Sequence, residues 1–302
     1  SMPWHDKVPG ILETWLCGEG SAHALADILF GIINPSGKLP ESFPLSIEDT
    51  PASIDYPGDT KRAFYSENLF IGYRYYDKKK MDVLFPFGFG LSYTTFSYSQ
   101  LTVSPGTCDD SQDVIVKLSI KNTGTYAGKE VVQLYIRDVE SSIIKPEKEL
   151  KGFTKISLEP GEEKEVAFVL DRDTFTHYDV TRKQWVVESG SFEILAGSSS
   201  REIRARSRVN IFSEDTIIRP FTRHTYLADF FSNPLAKMYL QEWFNRKTDN
   251  LVQIDDFKGL KLRGIKNTPL SKFVIFLPGI YTDNELDALT DTINRELGLT
   301  RE

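Results

Sequence analysis

A chain of 302 residues, 40% hydrophobic and 26% charged, has the composition of soluble globular material and length for two or three small cores. Its formal charge of -7 argues against a phosphate-binding surface, which draws on clustered Lys and Arg, so nucleic acid is not an expected partner. No stretch approaches the roughly 20 apolar residues of a membrane span and no charged-then-apolar leader opens the chain, so membrane is not an expected partner either. Ser1 reads as a cloning scar, which places the expected natural start upstream and leaves the compartment open, with the cytoplasm slightly favoured. No Asn-X-Ser/Thr sequon is allowed, since Asn34-Pro35-Ser36 is barred by its proline. Cys17 and Cys108 lie far apart, make no disulfide framework or metal-ligand spacing, and read as packed thiols.

From Val8 to Phe43 the pattern predicts a helix capped by Ser21, ended by Gly31 and burying Ala22, Ala26, Leu29 and Ile33. The exit from Asn34 to Pro40 holds Pro35, Gly37 and Pro40, which forbids regular helix and predicts a rigid turn with Gly37 at positive φ. Residues 65–98 are dense in aromatics, among them Tyr73, Tyr76, Phe85, Phe87, Phe89 and Tyr93. Such density fills a junction between domains or stacks directly on sugar.

From about residue 100 to 212 the period falls to two. Val114, Val116, Leu118 and Ile120 alternate with polar neighbours, Asn122-Thr123-Gly124 breaks the run, and Val132, Leu134 and Ile136 resume it. Val166, Phe168 and Leu170 repeat the pattern after Pro160-Gly161, and Phe192, Ile194 and Ala196 after Gly190. Short alternating strands without long helices predict an antiparallel β-sandwich of immunoglobulin-like type. Beyond residue 213 helices return. Ser232 and Pro234 open one with Leu235, Met238, Tyr239 and Trp243 on a shared face. Thr282-x-x-Glu285 forms a capping box before another whose stripe is Leu286, Leu289, Ile293 and Leu297. The run from Lys272 to Leu277 reads equally as strand or helical cap.

No Gly-x-Ser-x-Gly elbow, phosphate loop or His-Glu-x-x-His pair appears. His5, His23, His177 and His224 are widely separated, so no metal and no cofactor is assigned. Gly18-x-Gly20 and Gly88-x-Gly90 lack the third glycine of a nucleotide cradle and read as turn or close-packing positions. Arg201, Arg204, Arg206 and Arg208 form a basic run, the last three on one strand face, read as a solvated edge with an anionic ligand as the lesser alternative.

Specific blocks then accumulate in order: Trp15-x-x-Gly18, Ala26-Asp27-Ile28-Leu29-Phe30-Gly31, the Asn34–Pro40 exit, Tyr65-x-Glu67, Gly72-Tyr73-Arg74-Tyr75-Tyr76-Asp77 and Phe85-Pro86-Phe87-Gly88-Phe89-Gly90. They continue through Asn122-Thr123-Gly124, Gly128-x-Glu130-Val131-Val132-Gln133-Leu134-Tyr135 and Pro146-x-Lys148-Glu149-Leu150-Lys151-Gly152-Phe153. Over residues 3 to 200 this series resembles the C-terminal part of family-three glycoside hydrolases, β-glucosidase-like enzymes. The resemblance implies a multidomain chain in which residues 1–64 end an α/β sandwich, 65–99 connect and 100–212 form a fibronectin type III-like β-sandwich; the helical pattern beyond them makes 213–302 a mainly helical extension, which resembles the family's variable extensions only loosely.

It also implies a retaining mechanism with two carboxyl groups about 5 Å apart. The nucleophilic aspartate would belong to an N-terminal barrel, a fold that needs about 250 residues, and the acid/base glutamate would precede the Trp15 block. No catalytic residue is therefore assigned. Glu67, set between aromatics, is the tempting substitute and Glu19 a weaker one, but a structural hydrogen bond or an ion pair with arginine is the commoner fate of such a glutamate. Arg74 and Asp77 are expected to pair or cap locally, although the guanidinium of Arg74 could reach a domain interface. The implied partners are the missing barrel and the rest of the α/β sandwich, with an oligosaccharide and a second copy also open. A carbohydrate-binding module using Tyr135 or Trp185, or a structural interaction unit, are the alternatives.

Overall fold

The computed structural model describes residues 2–59, 61–180, 182–215, 219–247, 267–273 and 281–299. The chain divides into two compact units, Ser1–Thr216 and Ile217–Glu302.

The first unit runs α1 (Ser21–Leu29), β1 (Phe43–Pro44), α2 (Tyr73–Lys79), β2 (Val83–Phe85), β3 (Phe96–Tyr98), β4 (Thr102–Ser104), β5 (Thr107–Asp109), β6 (Val114–Asn122), β7 (Gly128–Asp138) and β8 (Glu149–Leu158). It continues through β9 (Glu163–Leu170), α3 (Arg172–Phe175), β10 (Thr176–Asp179), β11 (Gln184–Val187), β12 (Gly190–Gly197) and β13 (Ile203–Phe212). One sheet has the order β5-β13-β12-β7-β8. It is antiparallel except at β13–β5, which is parallel. In the other, β6 pairs with β9 and also with β3 and β4, all antiparallel. The alternating side chains meet in one shared core: Val114, Val116, Leu118 and Ile120 of β6 with Val132 and Leu134 of β7, Phe192 and Ile194 of β12 and Val209 of β13. Cys108 is buried in that core, but Cys17 is exposed, its Sγ donating to the Thr14 carbonyl at 2.6 Å; it is not the packed thiol expected.

The middle of β7, Val132 to Ile136, is buried on both faces. Away from the core, Tyr135 lies under Tyr73, whose ring meets it edge-on at 5.9 Å and stacks on Phe87 at 4.9 Å. Gln133 is the polar centre of this layer. Its Nε2 donates to the carbonyls of Gly88 (3.0 Å) and Ser198 (2.8 Å), and its Oε1 accepts from the Tyr135 hydroxyl at 2.6 Å. The Asn34–Pro40 exit is fixed against the same edge. Asn34 Nδ2 donates to Ala127 O, while Oδ1 accepts from the Ser92 hydroxyl and the Tyr93 amide. Lys38 pairs with the buried Glu130 at 3.1 Å, and Leu39 and Gly88–Phe89 exchange backbone hydrogen bonds of 2.8 Å. The expected rigid turn is present.

Gly37, however, has no positive φ and open space where a Cβ would sit. The glycine requirement falls on its contact partners. Gly88 has φ +78° and a Cβ there would lie 2.1 Å from Gln133 Oε1, while one on Gly90 would lie 2.1 Å from the Gly37 carbonyl. α1 also departs from expectation. Gly20, not Ser21, is its N-cap, and Gly31 ends it at φ +72° as expected. None of its residues is buried: Ala22, Leu29 and the following Ile33 are exposed, because no described element covers that face.

The second unit contains α4 (Leu227–Ser232), α5 (Pro234–Lys247), α6 (Leu270–Phe273) and α7 (Asp283–Glu296) around its own core. Asn233 rather than Ser232 caps α5, accepting the amides of Leu235 and Ala236 at 3.0 Å each. The buried stripe of α5 is Ala236, Leu240 and Phe244, with Tyr239 and Trp243 flanking it; Met238 is 53% exposed, so the expected face is rotated by one residue. The capping box on α7 forms, with Thr282 Oγ1 accepting from the Glu285 amide and Glu285 Oε2 from the Thr282 amide. Leu286, Leu289 and Ile293 are buried, and Asn294 beside them holds both backbone polar groups of Phe221. Of the undecided run, Lys272 and Phe273 end α6, and 274–277 lie outside the described residues.

Two pairs of substitutions test these placements. Gly88→Ala should lower stability by at least about 1–2 kcal/mol, the cost of a left-handed Ala before any clash, whereas Gly37→Ala should be neutral or raise it by up to about 1 kcal/mol. Thermal unfolding followed by near-ultraviolet circular dichroism reads both. Phe244→Ala should cost about 3–5 kcal/mol in protection of α5 and α7 amides by hydrogen exchange, and Met238→Ala less than about 0.5.

Candidate functional site

Glu67 sits in the turn before α2, where its carbonyl accepts the Phe70 amide at 2.8 Å. Its Oε2 is buried and meets no hydrogen-bond donor among the described residues, so the arginine or hydrogen-bond partner expected for it is not found there. Tyr65 beside it is exposed, and Glu19 is exposed before α1.

Arg74 and Asp77 do not pair locally. α2 lies against the start of β8, so its polar side meets residues far away in sequence. Arg74 pairs with Glu149 at 3.0 Å. The largely buried Asp77 receives Lys148 at 2.5 Å and Arg201 at 2.8 Å, and Arg201 also donates to the Met81 carbonyl. Tyr73 adds a hydroxyl that accepts the Leu150 amide at 2.8 Å, and burial pushes its phenol above the ordinary range. Charge shielded from water in this way is stabilising only while every partner is present. The site is therefore a clamp that fixes α2 to the sheet.

The basic run is distributed as the strand alternation requires. Arg201 is drawn into the clamp, while Arg204, Arg206 and Arg208 point outward from β13. Arg204 pairs with Glu202, and Glu193 accepts Arg208 at 2.8 Å and Arg137 at 3.3 Å. The hydrogen bond from Arg208 holds the Glu193 carboxyl below its usual range. Carboxylates thus already answer two of the three outward cations.

Tyr135 is fully buried and cannot stack on a sugar. Trp185 is 62% exposed, and the register of β10 with β11 sets Tyr178, 45% exposed, directly opposite it. Tyr178 was not singled out in the sequence, although the short gap between Thr176–Asp179 and Gln184–Val187 is a hairpin signal that would have paired them. A different apolar surface belongs to residues 1–93, where Phe30, Ile32, Ile54 and Leu91 are all more than 70% exposed. Two concavities stand out among the described residues, one small and one shallow. One among Ile136, Asp138, Lys145, Phe175 and Phe192 has about 20 Å³, room for one water. Among the described residues no three of His, Cys, Asp and Glu gather as a metal site, and no helix is long and apolar enough to cross a membrane.

Residues 1–93 match the glycosyl hydrolase family 3 C-terminal domain, and residues 130–200 the fibronectin type III-like domain. The chain is 45% identical over 97% of its length to thermostable β-glucosidase B of Acetivibrio thermocellus, of which it spans 39%. It is 46% identical over 67% of its length to β-glucosidase BoGH3A of Bacteroides ovatus, of which it spans 28%. Among solved structures, the family 3 β-glucosidase of Bifidobacterium adolescentis superposes on 79% of this chain and 35% of its own, with a TM-score of 0.71 at 35% identity. β-Glucosidase 3B of Thermotoga neapolitana, solved with glucose, covers 70% of this chain and 29% of its own, at a TM-score of 0.65 and 41% identity. The chain therefore carries the C-terminal domain of glycosyl hydrolase family 3, followed by a fibronectin type III-like domain, and corresponds to the C-terminal portion of that family's β-glucosidases.

Proposed function

We propose that this chain is the non-catalytic C-terminal part of a retaining β-glucosidase-like hydrolase acting on β-linked glucosides or related oligosaccharides. Residues 1–64 end its α/β sandwich, 65–99 connect, 100–212 are an immunoglobulin-type sandwich, and 213–302 are a helical extension. Its partner is an upstream barrel together with the remainder of the α/β sandwich. The observation that carries this reading is an asymmetry of closure. The sheets of residues 96–212 enclose a complete core, whereas α1 and its flanks leave Leu29, Phe30, Ile32 and Ile33 uncovered. Four large apolar side chains exposed within five residues suit a surface built to be covered by another part of the same fold. The span of less than two-fifths of the relatives supports it.

In this role the chain presents groups rather than reacting ones. The clamp of Asp77, Lys148 and Arg201 and the hydrogen bond of Gln133 to Gly88 fasten the segment 73–90 to the sheet, so that it can serve as a wall for whatever packs on it. Glycoside cleavage needs an acid and a nucleophile on opposite sides of one bond.

Purified chain should release p-nitrophenol from its β-glucoside and β-xyloside no faster than buffer, because loss of one acid/base partner alone removes about two to four orders of magnitude. Co-expression with the upstream part of its parent reading frame should give turnover. Hydrolysis by the chain alone that disappears in Glu67→Gln and survives in Glu19→Gln would overturn the proposal and make Glu67 catalytic.

A further inference from the structure

We propose that the exposed Tyr178–Trp185 pair on the β10–β11 ribbon is a saccharide-binding corner that takes a single pyranose ring. The two residues are cross-strand neighbours, with ring centroids 5.6 Å apart and planes inclined at 71°. They share the outer face of a two-stranded ribbon that belongs to neither large sheet. The ribbon is anchored: Val186 is fully buried on the other face, Val187 is fully buried at the strand end, and the Val187 amide donates to the Asp215 carboxylate at 2.8 Å. Arg172 joins the same carboxylate to Asp110. The rings are thus held by a fixed support, so little conformational freedom remains to be lost on binding.

The chemistry of the corner selects the ligand. A pyranose is amphipathic, with a patch of C–H bonds on its face and hydroxyls around its rim. An indole face accepts the C–H patch, because the ring quadrupole is negative above its plane. A hydroxyl partner stands beside it in the Tyr178 phenol. An apolar protein surface fits less well, because Arg182, Lys183 and Gln184, which precede Trp185 in the ribbon, are polar and cannot be desolvated without cost. The 71° inclination sets the size of the ligand. Two coplanar rings would make a strip for successive sugars of a flat polymer surface, but two inclined rings make a floor and a wall for one sugar. The ligand is therefore a free monosaccharide glycoside or the terminal unit of an oligosaccharide, not a crystalline polysaccharide.

The inference does not require the hydrolase reading, since it concerns binding by this chain and is measured without turnover. The chain has four tryptophans, whose indole N–H signals can be followed by nuclear magnetic resonance, Trp185 being identified by its loss in Trp185→Phe. Titration with methyl β-glucoside or cellopentaose to about 50 mM should move the Trp185 signal saturably and leave the other three in place. Equal affinity for both ligands means one ring is held. Cellopentaose binding more than about tenfold tighter means that successive rings are held together and overturns the single-ring reading. Tyr178→Ala should weaken binding by about three- to tenfold, Trp185→Ala should abolish it, and Trp185→Phe, which keeps a flat ring, should retain it within about tenfold. Circular dichroism unchanged in Trp185→Ala separates loss of binding from loss of fold. The proposal fails if the Trp185 signal stays fixed, if sorbitol moves it equally, if Trp185→Ala binds as the parent does, or if the chain adsorbs to crystalline cellulose through these rings.

Discussion

Burial of the middle of β7, Val132 to Ile136, on both faces is the constraint from which the rest of the first unit follows. A strand in a two-sheet arrangement normally hides one row of side chains and wets the other. Here Val132, Leu134 and Ile136 fill the shared core, while Gln133 and Tyr135 are sealed by Tyr73 and Phe87. Sealing an amide and a phenol demands that their hydrogen bonds be made inside the protein, since an unpaired one costs about 1–3 kcal/mol. Gln133 meets the demand with Gly88, Ser198 and Tyr135. The position of the Phe87–Gly90 turn is dictated by that need, and through Gly88 and Leu39 so is the position of the Asn34–Pro40 exit.

Around this neutral centre the charged groups form an outer ring. Asp77, Lys148 and Arg201 on one side and Lys38 with Glu130 on the other join segments between 70 and 124 residues apart. Buried ion pairs contribute little net stability compared with well-packed apolar residues, but their geometry is exacting, and mispaired arrangements leave a charge without a partner. Their contribution here is to fix where α2 sits, while the apolar contacts of Tyr73 and Phe87 supply the driving force.

The fold was most legible where a local period decides it. Val114, Val116, Leu118 and Ile120 announce one buried row, and Thr282 with Glu285 announces a helix start, because each signal lies within a few residues. It was less legible where the deciding partner is remote. Nothing near Tyr135 in sequence says that a second layer covers it, and nothing near Gly37 says that the steric demand falls on Gly90 instead. On α5 two stripes compete, both including Tyr239 and Trp243, and only the packing of α6 and α7 selects the one containing Phe244. The candidate site was half legible: Trp185 was visible as a residue type, but Tyr178 becomes its neighbour only through the hairpin register.

The close approach of Gly88 and Gln133 has a consequence for how such a sequence can change over time. A side chain at 88 meets two separate obstacles, the left-handed backbone and the amide of Gln133. Shortening residue 133 would clear the second obstacle but strand the Gly88 and Ser198 carbonyls and leave the first untouched. Neither position can be altered first without loss, and altering both does not restore what either held. The two positions are locked together, whereas at Gly37 the backbone tolerates a side chain and the space is open.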